Sequence, residues 1–176
     1  QDTTPMVATF THHSMEGEKE KTNDFQKQSI AYSTDKGRSW TKYSGNPVIP
    51  NVQKEKDFRD PKVVWHEESK KWIMSLAVYD KVQFFSSSNL KDWIFISEFG
   101  INGDDRLWEC PDLFELPIAE SNESKWVLIV SLGKEGPNGG SATQYFVGDF
   151  DGPISKFLGN NSPNNFYGIY NRNANE

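Results

Sequence analysis

Hydrophobic side chains along this chain fall in short runs rather than at helical spacing: Met6 to Thr11, Gln28 to Ser33, Lys62 to His66, Trp72 to Val78, Val82 to Ser86, Trp93 to Phe99, Leu113 to Leu116, Trp126 to Leu132 and Thr143 to Phe150. Each run has strand length and is rich in β-branched and aromatic residues, the types that suit a pleated, half-buried surface. Between them lie clusters such as Asp35-Lys36-Gly37, Ser44-Gly45-Asn46-Pro47 and Gly136-Pro137-Asn138-Gly139-Gly140, which supply the backbone conformations of tight turns. The charged stretch Glu16 to Lys27 has almost no apolar face and reads as a long solvated loop. The pattern predicts an all-β chain.

The strands repeat in order. Arg59-Asp60-Pro61-Lys62-Val63-Val64, Lys71-Trp72-Ile73-Met74-Ser75-Leu76 and Val82-Gln83-Phe84-Phe85-Ser86 correspond to Glu109-Cys110-Pro111-Asp112-Leu113-Phe114, Lys125-Trp126-Val127-Leu128-Ile129-Val130 and Thr143-Gln144-Tyr145-Phe146-Val147. The offset grows from 50 residues (Arg59 to Glu109) to 54 (Lys71 to Lys125) and 61 (Val82 to Thr143), so the loops lengthen while the strands do not. A further unit, a strand followed by a polar turn and a Trp, recurs as Tyr32 to Trp40 and as Phe85 to Trp93. Repeats of about 50 residues with four antiparallel strands are blades of a β-propeller. About three blades are represented, two nearly whole and the end of an earlier one, which is fewer than the roughly four to eight that close a ring. A β-sandwich is the alternative, because its strand spacing is similar.

Composition excludes several function classes. With 19 basic and 25 acidic residues the net charge is -6, and no basic patch stands out, so the field has the wrong sign for nucleic acid. A mean hydropathy of -0.71 without a long apolar run predicts no membrane partner. Cys110 is the single cysteine, which rules out an intrachain disulfide and a cysteine-built zinc site; His12, His13 and His66 lack metal-ligand spacing, so neither metal nor cofactor is expected. Residues Gln1 to Pro5 show no signal-peptide features.

Candidate chemistry sits where the repeats begin. If the first strand of each blade lines a central channel, Arg59, Asp60 and Glu109 converge at one mouth. Two carboxylates beside a guanidinium are groups that glycosidic bond cleavage uses. Trp108 would offer an apolar ring to a sugar face and a low-dielectric wall to Glu109. From the motif alone, Asp60 and Arg59 equally well pair with each other and cap a strand.

The runs Asp57-Phe58-Arg59-Asp60-Pro61-Lys62-Val63-Val64-Trp65, Leu107-Trp108-Glu109-Cys110-Pro111-Asp112-Leu113-Phe114-Glu115-Leu116 and Gln144-Tyr145-Phe146-Val147-Gly148-Asp149-Phe150-Asp151-Gly152 closely resemble glycoside hydrolase family 32, the invertases, inulinases and bacterial levanases. Gln28 to Ser33 and Asn46-Pro47-Val48-Ile49-Pro50 fit the same family. The resemblance spans residues 6 to 152 and implies a partial five-bladed propeller catalytic domain over 1–152, followed by a poorly matched tail over 153–176 in which only Asn165-Phe166-Tyr167-Gly168 is similar to a family segment. It implies retaining hydrolysis of β-fructofuranosidic bonds in levan, inulin or sucrose, an extracellular or periplasmic location, Glu109 as general acid/base, and Asp60 as transition-state stabiliser rather than nucleophile. Arg59 accompanies Asp60 in the sugar subsite, and burial accounts for Cys110 beside the acid.

One departure matters. The family's nucleophile lies in a Trp-Met-Asn-Asp-Pro-Asn-Gly motif that these 176 residues lack. The chain by itself is therefore expected to be an incomplete, inactive catalytic domain, prone to self-association or completed by the remainder of the propeller. The competing functions are a non-catalytic carbohydrate-binding propeller and a five-bladed glycosidase acting on arabinans or xylans, the latter disfavoured by Trp108-Glu109-Cys110-Pro111.

Overall fold

The computed structural model describes residues 4–137, 139–151 and 158–159. They form three antiparallel sheets. The first holds β1 (Met6–His13), β2 (Gln26–Ser33) and β3 (Thr41–Lys42) in that order. The second runs β4 (Phe58–His66), β5 (Lys71–Val78), β6 (Lys81–Ser87), β7 (Ile94–Gly100); the third runs β8 (Trp108–Pro117), β9 (Ser124–Leu132), β10 (Ala142–Asp149), β11 (Leu158–Gly159). Sequential order within each sheet is the meander of a propeller blade. Strands β4 and β8, the first of their sheets, lie against each other, and β1 lies against β4. A face-packed sandwich is thereby excluded.

Apart from its short strand Leu158–Gly159, the tail expected over 153–176 falls outside the described residues, including Asn165 to Gly168. In the stretch predicted to be a loop, residues Met15–Lys19 instead form one helical turn, α1. It buries none of its residues and owes its existence to local capping: Ser14 Oγ accepts from Gly17 N at 3.1 Å, and Glu16 and Glu18 occupy the first turn.

Strand β5 is mostly apolar from Trp72 to Val78 because both of its faces are covered. Ile73 joins Val82, Phe84 and Phe99 against Trp108, Leu113, Leu128, Val130 and Phe146 of the third sheet. Met74, Leu76 and Val78 face the other way, toward Ile49, Phe58 and Phe85. Side chains alternate along a strand, so a largely apolar stretch, broken here only by the small buried Ser75, is what a sheet covered on both faces requires.

The turn before β3 is stabilised as its sequence suggests. Asp35 Oδ1 accepts from Ser33 Oγ at 2.7 Å and Ser39 N at 2.9 Å, Asp35 Oδ2 accepts from Ser39 Oγ at 2.7 Å, and Trp40 Nε1 donates to Gly37 O at 3.1 Å. Before β7 the same device recurs, with Asn89 Oδ1 taking the Lys91 and Asp92 amides and Trp93 Nε1 donating to Leu90 O. The Ser39 amide, then the Ser39 and Ser33 hydroxyls, hold the Asp35 carboxyl down at about 2. A depressed carboxyl stabilises the fold above its unfolded value of ~3.9 and loses that effect as pH falls through its folded value. Asp35→Ala is therefore expected to lower the urea midpoint at neutral pH, with the gap to the parent closing between about pH 4 and pH 2.

Candidate active site

The site is built by two copies of one irregularity. In β4 the pairing with β5 jumps from Arg59↔Ala77 to Lys62↔Ser75, so Asp60 and Pro61 stand opposite the single residue Leu76. In β8 it jumps from Glu109↔Ser131 to Asp112↔Ile129, leaving Cys110 and Pro111 opposite Val130. Proline has no N–H to give the ladder, and in sheets it is tolerated at an edge strand or a bulge; here both conditions hold. The preceding residues take left-handed backbone, with φ of 58° at Asp60 and 48° at Cys110. Non-glycine residues there cost on the order of 1–3 kcal/mol, and such strain gathers at functional sites.

The bulges bring the equivalent positions of adjacent blades into contact. Arg59 Nη2 donates to Glu109 Oε1 at 3.0 Å, the Cys110 amide donates to Asp60 Oδ2 at 3.0 Å, and Lys62 Nζ donates to Asp112 Oδ2 at 2.8 Å. Each pair is separated by 50 residues, so the repeat legible in the sequence becomes a row of bonds between the two inner strands. Arg59 does not pair with Asp60, contrary to the strand-capping alternative; its second nitrogen bonds Asp57. Desolvation pulls the Arg59 guanidinium down, but the hydrogen bonds and charges of Asp57 and Glu109 outweigh it and hold the group above its usual value.

Two expectations are corrected. Trp108 offers no ring to a sugar: it is 0% exposed, stacks on Phe146 at 5.3 Å between ring centroids, and donates from Nε1 to Asp104 Oδ2 at 3.2 Å. Neighbours on a strand point to opposite faces, so while Glu109 reaches Arg59, Trp108 enters the core. Burial does not account for Cys110, which is exposed. Partial desolvation, then the charge and hydrogen bond of Asp60 and the charge of Glu109, push its thiol up, with Arg59 opposing, so at neutral pH it stays protonated and is a poor nucleophile.

Pattern reading missed several contributors. Gly133 lies against Glu109, where an added Cβ would stand 3.3 Å from Oε2. Thr11 and Gln28 hold the Asp60 bulge, through bonds set out below. No pattern singles out Gln28, which sits in the polar start Gln26-Lys27-Gln28-Ser29 of its strand; only its burial marks it. Asp60 and Glu109 share one end of the two inner strands; the clefts lined by Val64, Phe114 and Trp126, and by Ile49, Phe58 and Phe85, lie elsewhere.

Residues 1–169 match the sequence profile of the glycosyl hydrolases family 32 N-terminal domain. The chain belongs to glycosyl hydrolase family 32. The levanase of Bacillus subtilis (strain 168) is 54% identical over 163 residues, covering 91% of this chain and 22% of that protein. The extracellular exo-inulinase of Aspergillus niger is 46% identical over 165 residues, 85% of this chain and 31% of that one. Among solved structures, the fructofuranosidase from Schwanniomyces occidentalis complexed with fructose superposes with a TM-score of 0.74 at 43% identity, over 88% of this chain and 28% of its own. The chain thus spans less than a third of each of these family 32 relatives, and its three sheets are part of the family's propeller.

Proposed function

We propose that the protein carrying this segment hydrolyses β-fructofuranosidic bonds of levan, inulin or sucrose with retention, and that the segment supplies the acid/base Glu109 and the stabiliser Asp60. The observation that carries this reading is the pair of bonds tying the two carboxyl-bearing bulges together, Arg59 to Glu109 and the Cys110 amide to Asp60. Glu109 Oε1 already accepts a proton-bearing nitrogen of Arg59, so the transferable proton belongs on Oε2, the oxygen turned toward Gly133. Protonated there, Glu109 hands the proton to the departing glycosidic oxygen; as carboxylate it then takes one from the water that releases fructose. Asp60, held from the side by the Cys110 amide, accepts hydrogen bonds from fructose hydroxyls and offsets the positive charge that develops on the ring. The attacking carboxylate, about 5–5.5 Å from the acid in retaining enzymes, comes from the family motif outside these residues.

The names of the relatives support the substrate class, and the extracellular exo-inulinases support a secreted location. Val147, exposed on the third sheet, adds apolar surface that would favour self-association in the 176-residue chain alone. Fructose release from levan, inulin and sucrose tests the reading. The full-length protein is expected to hydrolyse at least one of them, whereas the 176-residue polypeptide is expected to release no fructose above background. Binding without hydrolysis by the full-length protein would favour a carbohydrate-binding role instead. Release by the short polypeptide, abolished by Glu109→Gln, would show that a nucleophile lies within it.

A further inference from the structure

The amide of Asp60 has no partner in the β4–β5 ladder at the bulge, yet it is hydrogen-bonded: Thr11 Oγ1 on β1 accepts it at 3.1 Å. Thr11 Oγ1 in turn donates to Gln28 Oε1 at 3.0 Å, and Gln28 Nε2 donates to Phe58 O at 2.8 Å. The polarity of this relay is forced. A carbonyl such as that of Phe58 only accepts, so the Gln28 nitrogen must face it and the Gln28 oxygen must face Thr11. The threonine proton is thereby committed to Gln28, which leaves its lone pairs for the Asp60 N–H.

Thr11 and Gln28 are directly opposite in the β1–β2 register, so one cross-strand pair grips the backbone on both sides of Arg59. The grip is rigid. Gln28 is 0% exposed, and its own backbone is fixed by Ile49 and Val48, with Gln28 N donating to Ile49 O at 2.9 Å and Val48 N to Gln28 O at 2.9 Å. Beyond Asp60 the chain of bonds continues from its carboxylate to the Cys110 amide, next to the acid.

We propose that Thr11 and Gln28 are positioning residues that hold the left-handed Asp60 bulge, and so aim the Asp60 carboxylate and set its placement relative to Glu109. This rests on the reading of Asp60 as the transition-state stabiliser. A displacement of about 1 Å at such a group is enough to cost on the order of 100-fold in rate.

The test uses the full-length protein with sucrose, inulin and levan as substrates. Thr11→Val keeps the shape but loses both hydrogen bonds, and Thr11→Ser restores the hydroxyl. Thr11→Val is expected to lower kcat about 10–100-fold with KM within about threefold, and to speed amide exchange at Asp60 at least about tenfold. Thr11→Ser is expected to return both within about threefold of the parent, an outcome that a loss of packing alone would not give. Gln28→Met, with the hydroxyl intact but unanchored, is expected to fall between the two. A kcat for Thr11→Val within twofold of the parent, an unchanged Asp60 exchange rate, or a Thr11→Ser variant as impaired as Thr11→Val would overturn the proposal. If the parent protein hydrolyses none of the three, the functional reading falls, and Asp60 exchange in the same variants still decides whether the relay holds the bulge.

Discussion

Glu109→Gln in the full-length protein is expected to lower kcat on sucrose or levan by about 100- to 10,000-fold, the usual span for removing a positioned general acid/base. The substitution is nearly isosteric, and its amide oxygen still accepts from Arg59 Nη2, whose bond to Glu109 is 3.0 Å long. What disappears is the proton on the other oxygen, so the loss falls on kcat while KM changes little. An aryl fructoside, whose leaving oxygen needs no proton, is expected to lose less in the first chemical step. A loss below tenfold on sucrose, inulin and levan alike would remove Glu109 from the acid/base role.

Trp108→Ala is expected to cost about 3–5 kcal/mol of unfolding free energy, the range for deleting a large buried aromatic. The ring has no exposed surface, packs on Phe99 and Phe146, and anchors Asp104 through its indole nitrogen. The Trp108 backbone amide also donates to Tyr79 O at 2.7 Å, pinning the start of β8 to the neighbouring sheet. A sugar-stacking residue would behave in the opposite way, weakening substrate affinity with little change in stability. Urea denaturation and sugar affinity of the folded fraction separate the two. An unchanged unfolding midpoint with a raised KM would return Trp108 to the subsite.

The mature shape of the site was legible in the sequence only in part, and particular residues show why. Arg59, Asp60 and Glu109 could be placed together because each opens a repeat, and equivalent positions of adjacent blades must meet if the first strands are innermost. That inference needs only the 50-residue period and the alternation of the strands. Which of the three bonds to which is another matter. Arg59 passes over its sequence neighbour Asp60 for Asp57 and Glu109 because the bulge turns consecutive side chains apart, and the bulge depends on register across the ladder.

The sequence by itself determined the all-β class, the strand boundaries within a few residues, the blade repeat and the Asp35 turn. All are set by local chemistry: alternation of apolar side chains, proline's missing N–H and the short side chains that close turns. Tertiary structure alone decided which face Trp108 takes, whether Cys110 is covered, and that Thr11 and Gln28 reach across to Asp60. Those outcomes turn on contacts between residues far apart in the chain, such as the 49 positions separating Thr11 from Asp60. Their energies depend on distances and burial that no local pattern encodes, because a polar group takes whatever partner the packed blades leave within about 3 Å.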